Sequence, residues 1–455
     1  MIYIKNLALK NFKCFEDLPS MEFGKITLVT GANSTGKSSL LYSILGIMQS
    51  EKFPLNYHLN GNYVEMGSYS EIVYNGDVDK EIVIDFTLVN DEIDISYSFH
   101  SVWKREDYKD QPSLNILYCK SDYFDFELHN NGESAVYHLD YYPHKNIQMQ
   151  QNALLDIFQQ MAIGQSINGE QVSDYNKQLA SEYVKFVTQE THLQNIVMNS
   201  GETNAGEKAQ KLKDVLPITM VLNEIEEIFR LYNSKLNYLS SYRIPAKRIY
   251  TDRPVASGKI NNYGEGFVNE LLDWHEKDKS RFDELVAILR KLGLLYDISP
   301  KRTEKGGFRV GIKIHKNSAK VALSDVGFGV SQILPVVVGD IELGNKSSLF
   351  TSQPEIHLHP SVQADLGDYF VEQANRGKRY LIETHSEYLI NRIRLNIVKG
   401  ILKEEDIKVY YLSQKGCHTL AHEITFAKNG QILGAPEDFF DTYMMDTMNI
   451  AMEAE

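Results

Sequence analysis

Short apolar, β-branched runs open the chain. They predict strands over residues 3–9, 21–23 and 26–30, then a helix beginning near Ser39 and fading at Gln49-Ser50. From residue 63 to 103 the pattern turns to alternation, clearest over 81–88 and 93–99, with Asn75-Gly76 as a turn signal. Short strands continue over 113–142, broken by turns such as Asn130-Asn131-Gly132. These stretches predict an antiparallel sheet packed beside the strand at 26–30. Residues 150–235 change period. Leu154, Leu155, Phe158 and Met161 fall at helical spacing, as do Tyr183, Phe186 and Val187, and then Leu222, Ile225, Ile228, Phe229 and Tyr232. A helical insertion is expected there, its stripes serving as core faces around a polar loop at 201–213. The runs are too short and interrupted for a long coiled coil. Strand and loop return at 238–250, one helix is predicted over 267–292, and strands over 308–315 and 320–323. Strand and helix alternate through 323–390. Late strands follow at 408–412 and 423–426, a turn at Asn429-Gly430, and an amphipathic helix over 439–451. No internal repeat or low-complexity tract is present.

One stretch organises this pattern. Gly31-Ala32-Asn33-Ser34-Thr35-Gly36-Lys37-Ser38 fits G-x-x-x-x-G-K-[ST], between a buried strand and an apolar helix. In that setting backbone N–H groups and a helix N-terminus hold phosphate oxygens. Asn33, Ser34, Thr35, Gly36, Lys37, Ser38 and Ser39 are the expected nucleotide contacts. Lys37 would reach the β and γ phosphates, and Ser38 would offer its hydroxyl to Mg²⁺. The expected cofactors are therefore ATP and Mg²⁺.

Composition narrows the picture. The chain has 455 residues and a formal net charge of −14, so no global basic field draws it to nucleic acid. Cys14, Cys119 and Cys417 lack metal-like spacing and fit a reducing cytoplasm, each read as a small core residue. The N-terminus is expected to begin directly as a strand, without a signal peptide, and no apolar run reaches bilayer length. A cytoplasmic protein with no membrane span is expected.

Three further stretches lie in 323–390. Ser324-Asp325-Val326-Gly327-Phe328-Gly329-Val330-Ser331-Gln332 places small residues at a helix start, where a backbone can approach a triphosphate and Ser331 can donate to a γ-phosphate. Residues 348–360 run from an apolar strand into Ser352-Gln353-Pro354-Glu355-Ile356-His357-Leu358-His359-Pro360. Tyr380-Leu381-Ile382-Glu383-Thr384-His385-Ser386 is a strand ending at a histidine before a helix. Together with Leu9-Lys10-Asn11-Phe12-Lys13-Cys14-Phe15 and the phosphate loop, these resemble the ABC-type ATPases of the SMC, RecF and OLD branch. The resemblance is specific over 1–50 and 321–395 and architectural elsewhere.

The resemblance implies an α/β fold: an ABC-type P-loop ATPase with a mixed sheet, an antiparallel β subdomain and a helical insertion. Its expected parts are an N-terminal ATPase lobe at 1–149, the insertion at 150–237, a C-terminal lobe at 238–428 and a helical tail at 429–455. It makes Gly329 and Ser331 signature residues acting on the nucleotide of another subunit, and His385 the switch histidine. Gln49 would contact Mg²⁺ and its water. It also exposes a departure. Ser352 and Gln353 stand where the family places the Mg²⁺-site acid and the catalytic glutamate. A serine carries no charge, and an amide can orient water but cannot deprotonate it. ATP binding is implied, with hydrolysis impaired; Gln353 and His385 remain the residues nearest the chemistry. His357, His359 and Glu355 have a spacing that the family's loop shows without metal.

The expected function is an ATP-dependent switch that closes head-to-tail with a second copy, assembles further, and controls a separate effector. The wording of the motifs resembles the ATPase subunits of anti-phage systems such as Septu and PARIS, and retron-associated ATPases, which implies a nuclease partner. The alternative is a RecF-like repair ATPase binding DNA directly, with Lys301, Arg302, Lys305 and Arg309, or Arg376, Lys378 and Arg379, meeting phosphate. Solvated loop charge is the plainer reading of those clusters. A transporter motor fits poorly with so long an insertion.

Overall fold

The computed structural model describes residues 1–50, 53–106, 109–122, 124–130, 137–143, 225–252, 259–304, 306–416, 418–436 and 439. Most of the expected helical insertion and the expected terminal helix lie outside these residues.

The N-terminal alternation becomes a seven-stranded sheet in the order β2-β1-β4-β5-β6-β7-β8. Its strands are β1 (Ile2–Phe12), β2 (Phe15–Glu22), β4 (Ile82–Asn90), β5 (Ile95–Arg105), β6 (Pro112–Ser121), β7 (Phe124–Asn130) and β8 (Tyr137–Pro143), every pair antiparallel. In β4 the period is legible residue by residue: Ile82, Ile84, Phe86 and Leu88 are buried while their neighbours are half-buried. Met21 and Glu22, expected within a separate strand over 21–23, end β2 of the hairpin β1–β2, with Phe12 paired to Phe15.

The second sheet is mixed, in the order β17-β16-β15-β3-β14-β13-β9. It contains β3 (Ile26–Gly31), β9 (Leu236–Leu239), β13 (Ser348–Ser352), β14 (Arg379–Glu383), β15 (Ile407–Lys415), β16 (His418–Phe426) and β17 (Ile432–Leu433). The central run β15, β3, β14, β13 and β9 is parallel. All residues of β3, β13 and β9 are buried, as expected of parallel strands covered on both faces. A small antiparallel sheet joins β10 (Asp297–Arg302), β11 (Phe308–Lys313) and β12 (Val321–Ala322).

Two cores meet at the mixed sheet. On one side Val29, Phe350, Leu381 and Leu412 pack with the antiparallel sheet, with α1 (Lys37–Met48) and with a helix at 225–234, here α3. A short helix, α2 (Tyr69–Ile72), lies between them in sequence. Ile225, Ile228, Phe229 and Tyr232 of α3 are buried, so this part of the expected insertion is core. On the other side Leu28, Leu349 and Ile382 pack with α4 (Phe267–Lys277), α5 (Lys279–Lys291), α6 (Phe328–Glu342), α7 (Pro360–Asn375) and α8 (Glu387–Val398). The single helix expected over 267–292 is two helices. Asp278 leaves helical geometry and its side chain accepts from the Arg281 N–H at 3.2 Å, starting α5 afresh. Among the described residues no helix is long and apolar enough to cross a membrane.

Candidate functional site

The phosphate loop leaves the C-terminal end of β3 and enters α1. Its geometry needs glycine at two points. Gly31 sits at φ +136°, and a Cβ there would lie 2.1 Å from the Leu412 carbonyl oxygen on β15. Gly36 sits at φ +94°, and a Cβ there would meet Cys14 Sγ at 2.2 Å and Phe15 at 3.1 Å. The β1–β2 turn thus presses directly on the loop, which explains why Cys14 and Phe15 lie where they do. Asn33 and Ser34 are exposed at the crown, Ser34 in left-handed backbone at φ 63°. Buried Thr35 ties the loop by donating its hydroxyl to the Ala32 carbonyl at 2.9 Å.

Helix α1 starts without a side-chain cap and without an acid in its first turn. The N–H groups of its first turn, including those of Ser38 and Ser39, therefore have no intrahelical partner and suit an anion. Lys37 is buried, and its ammonium donates to the carbonyls of Gly31 at 3.1 Å and Ala32 at 2.6 Å. Burial lowers its pKa, while the charge of Glu383 pulls it back up.

Glu383 was missed in the sequence. It ends β14, the strand next to β3, and it is buried. Its carboxylate accepts from the Ser38 hydroxyl at 3.1 Å on one oxygen and 3.0 Å on the other. Its Cα pairs in register with that of Ser352 across the parallel strands β13 and β14. Side chains in register on neighbouring parallel strands share a face of the sheet. Glu383 thus stands beside the position that Ser352 leaves without charge. Tyr42 of α1 and Tyr238 of β9 flank the same spot; burial raises both phenol pKa values, helped at Tyr42 by the Glu383 charge and at Tyr238 by Tyr42 and then Glu383. The legible signal was a carboxylate closing an otherwise apolar strand two residues before His385.

The loop after β13 is held from behind. Gln353 takes left-handed backbone at φ 47° and donates its N–H to the Glu383 carbonyl at 2.7 Å. Arg243 is buried and donates through Nη2 to the Ser352 carbonyl at 2.8 Å. Burial lowers its pKa to about 10. Glu355 is also buried, and Oε1 accepts from the His385 N–H at 2.7 Å. Burial raises the Glu355 pKa against the pull of these partners and of Arg243. Glu355 therefore braces the loop carrying His385. The His385 ring itself is exposed. Partial desolvation and then the Lys37 charge lower its pKa, so it is neutral near pH 7 and lies within the field of the phosphate-loop lysine. Ser386 caps α8, accepting from the Leu389 N–H at 3.0 Å.

The remaining expected contacts are placed differently. Gln49 ends α1, but its amide donates to the His58 carbonyl at 2.8 Å and accepts from the Val64 N–H at 3.0 Å and the Tyr63 N–H at 3.3 Å. It braces the segment after α1 and is not turned toward Ser38. Ser331 is buried, and its hydroxyl donates to the Phe328 carbonyl at 3.0 Å within α6. A Cβ on Gly329 would lie 2.7 Å from the His357 carbonyl oxygen, so the glycine admits the loop after β13 of the same chain. The exposed edge of this stretch is Gly327 and Phe328, the latter 63% exposed. Phe328 faces the His357 ring, and His359 caps α7 by accepting from the Ser361 N–H at 3.3 Å. The basic clusters are engaged in part: Lys301 and Arg309 are exposed, and Lys305 lies outside the described residues. Arg302 pairs with Glu276 and Asp252, Arg376 with Glu284 and Glu372, and buried Lys378 with Asp340, while Arg379 lies over the Tyr3 ring.

A glycine loop at the end of a central parallel strand, with a lysine, a hydroxyl and a carboxylate gathered at it, defines a P-loop nucleotide-binding domain. The chain belongs to the AAA ATPase domain family, whose model matches residues 2–390. No curated protein matches it. Among solved structures it is similar to the Smc head domain of Pyrococcus furiosus with an extended coiled coil, bound to the C-terminal domain of ScpA. That match has 12% identity, covers 100% of both chains and has a TM-score of 0.41. It is also similar to the SMC head domain of Thermotoga maritima, with 11% identity over 92% of this chain and 97% of that one, TM-score 0.37.

Proposed function

We propose that this ATPase-family chain is a nucleotide-operated switch that pairs with a second copy around ATP and controls a separate effector, a nuclease of anti-phage defence. The observation that carries the reading is the convergence of Lys37, Ser38, Glu383 and His385 on one end of the parallel sheet, with Arg243 and Glu355 behind them. The first-turn amides of α1 and the Lys37 ammonium would hold the phosphates. His385 would meet the terminal phosphate and respond to its loss. Ser38 and Glu383 are hard oxygen donors of the kind Mg²⁺ takes. When bound, that ion would neutralise triphosphate charge.

The brace offers a route outward. Arg243 holds the loop after β13, Glu355 holds the loop of His385, and the Gln332 amide of α6 reaches the Arg243 carbonyl at 3.4 Å. Movement at the phosphate would therefore reach the exposed Gly327-Phe328 edge, where a second copy would sit. Gln353 would orient water without deprotonating it, which favours a slow switch over fast turnover.

The native locus, expressed with its neighbouring genes and challenged with phage, tests the proposal. Protection that is lost both with Lys37→Ala and with disruption of the neighbouring nuclease gene is expected. Protection unaffected by Lys37→Ala would refute the switch. Salt-sensitive binding of purified chain to DNA would instead favour the RecF-like role.

A further inference from the structure

The anomaly at Ser352 has a local answer. β13 ends in an uncharged hydroxyl, and the adjacent strand β14 ends, in the same register, in the buried carboxylate of Glu383. That carboxylate is not spent on a structural partner such as a lysine or arginine ion pair. Both its oxygens face the Ser38 hydroxyl, the group of the phosphate loop that offers a ligand to a nucleotide-bound metal. The other acid near the loop, Glu355, is turned to the His385 backbone and to Arg243 behind the site.

We infer that the acidic function of the metal site has moved one strand over: Glu383 on β14 supplies the negative charge that Ser352 on β13 lacks. This deepens the nucleotide-switch reading and rests on it. The chemistry follows from the hydrogen bond. A serine that donates its only proton to a carboxylate turns its lone pairs away from that carboxylate, and a hydroxyl so polarised is a better oxygen ligand. Glu383 would meet a divalent cation directly or through a water, at short range from Ser38. Its backbone is pinned as well, since its carbonyl accepts from the Gln353 N–H at 2.7 Å. The carboxylate is thus fixed relative to both strand ends, the preorganisation an octahedral, reluctantly dehydrated ion needs. Tyr42 and Tyr238 complete a polar wall on the side of β9 and α1.

The prediction separates metal from nucleotide. Glu383 should matter to the divalent-dependent part of ATP binding and little to the metal-free part, which belongs to Lys37 and the loop amides. Binding of ATP is measured by calorimetry with excess EDTA and with Mg²⁺, and Mn²⁺ binding in the presence of ATP by electron paramagnetic resonance. Wild type should gain affinity when metal is added. Glu383→Gln, which keeps shape and hydrogen bonding to Ser38, should lose at least about tenfold of that gain and the bound-Mn²⁺ signal, with EDTA affinity unchanged. Adding Ser352→Asp to Glu383→Gln should restore the gain by returning an acid to the neighbouring strand end. Glu383→Asp, one methylene shorter, serves if Glu383→Gln does not fold, and it too should show a reduced gain. A full metal-dependent gain in Glu383→Gln, or in Glu383→Asp where that variant stands in, overturns the inference. So does an equal loss in EDTA and in Mg²⁺, which would mark a purely structural role. Failure of wild type to bind ATP under either condition would instead sink the nucleotide reading itself.

Discussion

Arg243 and Glu355 form the brace behind the nucleotide loops, and removing one of them should cost more than removing both would suggest. Arg243 Nε and Nη1 and Glu355 Oε2 are buried without hydrogen-bond partners among the described residues. Their charges attract across the interior without an ion-pair contact, and each is held by the hydrogen bonds at its other end. Arg243→Met removes a charge-assisted bond to the Ser352 carbonyl, 2.8 Å long, worth about 1.5–3 kcal/mol. It also strands the Glu355 carboxylate in the interior. Together the two effects should cost about 2–4 kcal/mol at neutral pH, the lost charge-assisted bond plus a carboxylate left without its compensating charge. Glu355→Gln should cost less, because Arg243 keeps its carbonyl acceptors. In the double variant no stranded charge remains, so about 1–3 kcal/mol of the summed loss should return. Glu355 also has an escape. Burial already raises its pKa, and losing Arg243 raises it further. The deficit of Arg243→Met should then shrink as pH falls and grow as pH rises through that elevated value. Urea unfolding of the four proteins at several pH values measures all of this. Additivity within about 0.5 kcal/mol at every pH would refute the brace.

Other consequences are as specific. Gly31→Ala places a methyl group 2.1 Å from the Leu412 carbonyl oxygen at φ +136°; it should cost at least about 3 kcal/mol in chemical denaturation and abolish nucleotide binding. Glu342 is buried, and burial first, then repulsion from Glu270, lift its carboxyl to about 7, partly offset by the Ile260 N–H and Lys259. From the ordinary carboxylate value up to about 7, the folded chain holds a proton that the unfolded chain releases. Stability should therefore fall by up to about 3 kcal/mol as pH rises through that window, and Glu342→Gln should flatten the profile of thermal melting. Phe328→Glu, at a residue 63% exposed, should leave stability within about 1 kcal/mol but weaken ATP-dependent association seen by light scattering. Ser331→Arg would force a guanidinium into a buried position, so its loss of association should come with a lower melting temperature.

The sequence carried the parallel core well because its signals were local. β3 and α1 are continuous apolar runs around a glycine loop whose spacing is fixed by phosphate geometry. The alternation in β4 likewise dictated a half-buried antiparallel strand. Helix α4 ran into α5 in the apolar stripe, since a single Asp278 cap interrupts it without changing its face. Residues 297–302 did not read as a strand, because Pro300, Lys301 and Arg302 mask an edge-like pairing with β11. At the candidate site, Lys37 and Ser38 stand out from the glycine-loop spacing and His385 from its place at a strand end before a helix. Glu383 does not, because its importance comes from register between β13 and β14, which no local pattern encodes. Glu355 is the nearest acid along the chain, whereas Glu383 is the nearest across the sheet. Ser331 and Gly329 show how packing adds to a motif: within the chain Ser331 is buried and Gly329 admits the backbone of His357.

The central claim is that nucleotide assembles this chain with a second copy of itself. Molar mass by light scattering, taken on the purified protein with no nucleotide, with Mg²⁺-ADP and with Mg²⁺-ATP, addresses it most directly. The account predicts a higher mass with Mg²⁺-ATP than in the other two conditions, and no such increase for Lys37→Ala. An unchanged mass in all conditions, with ATP shown to be bound, would contradict it.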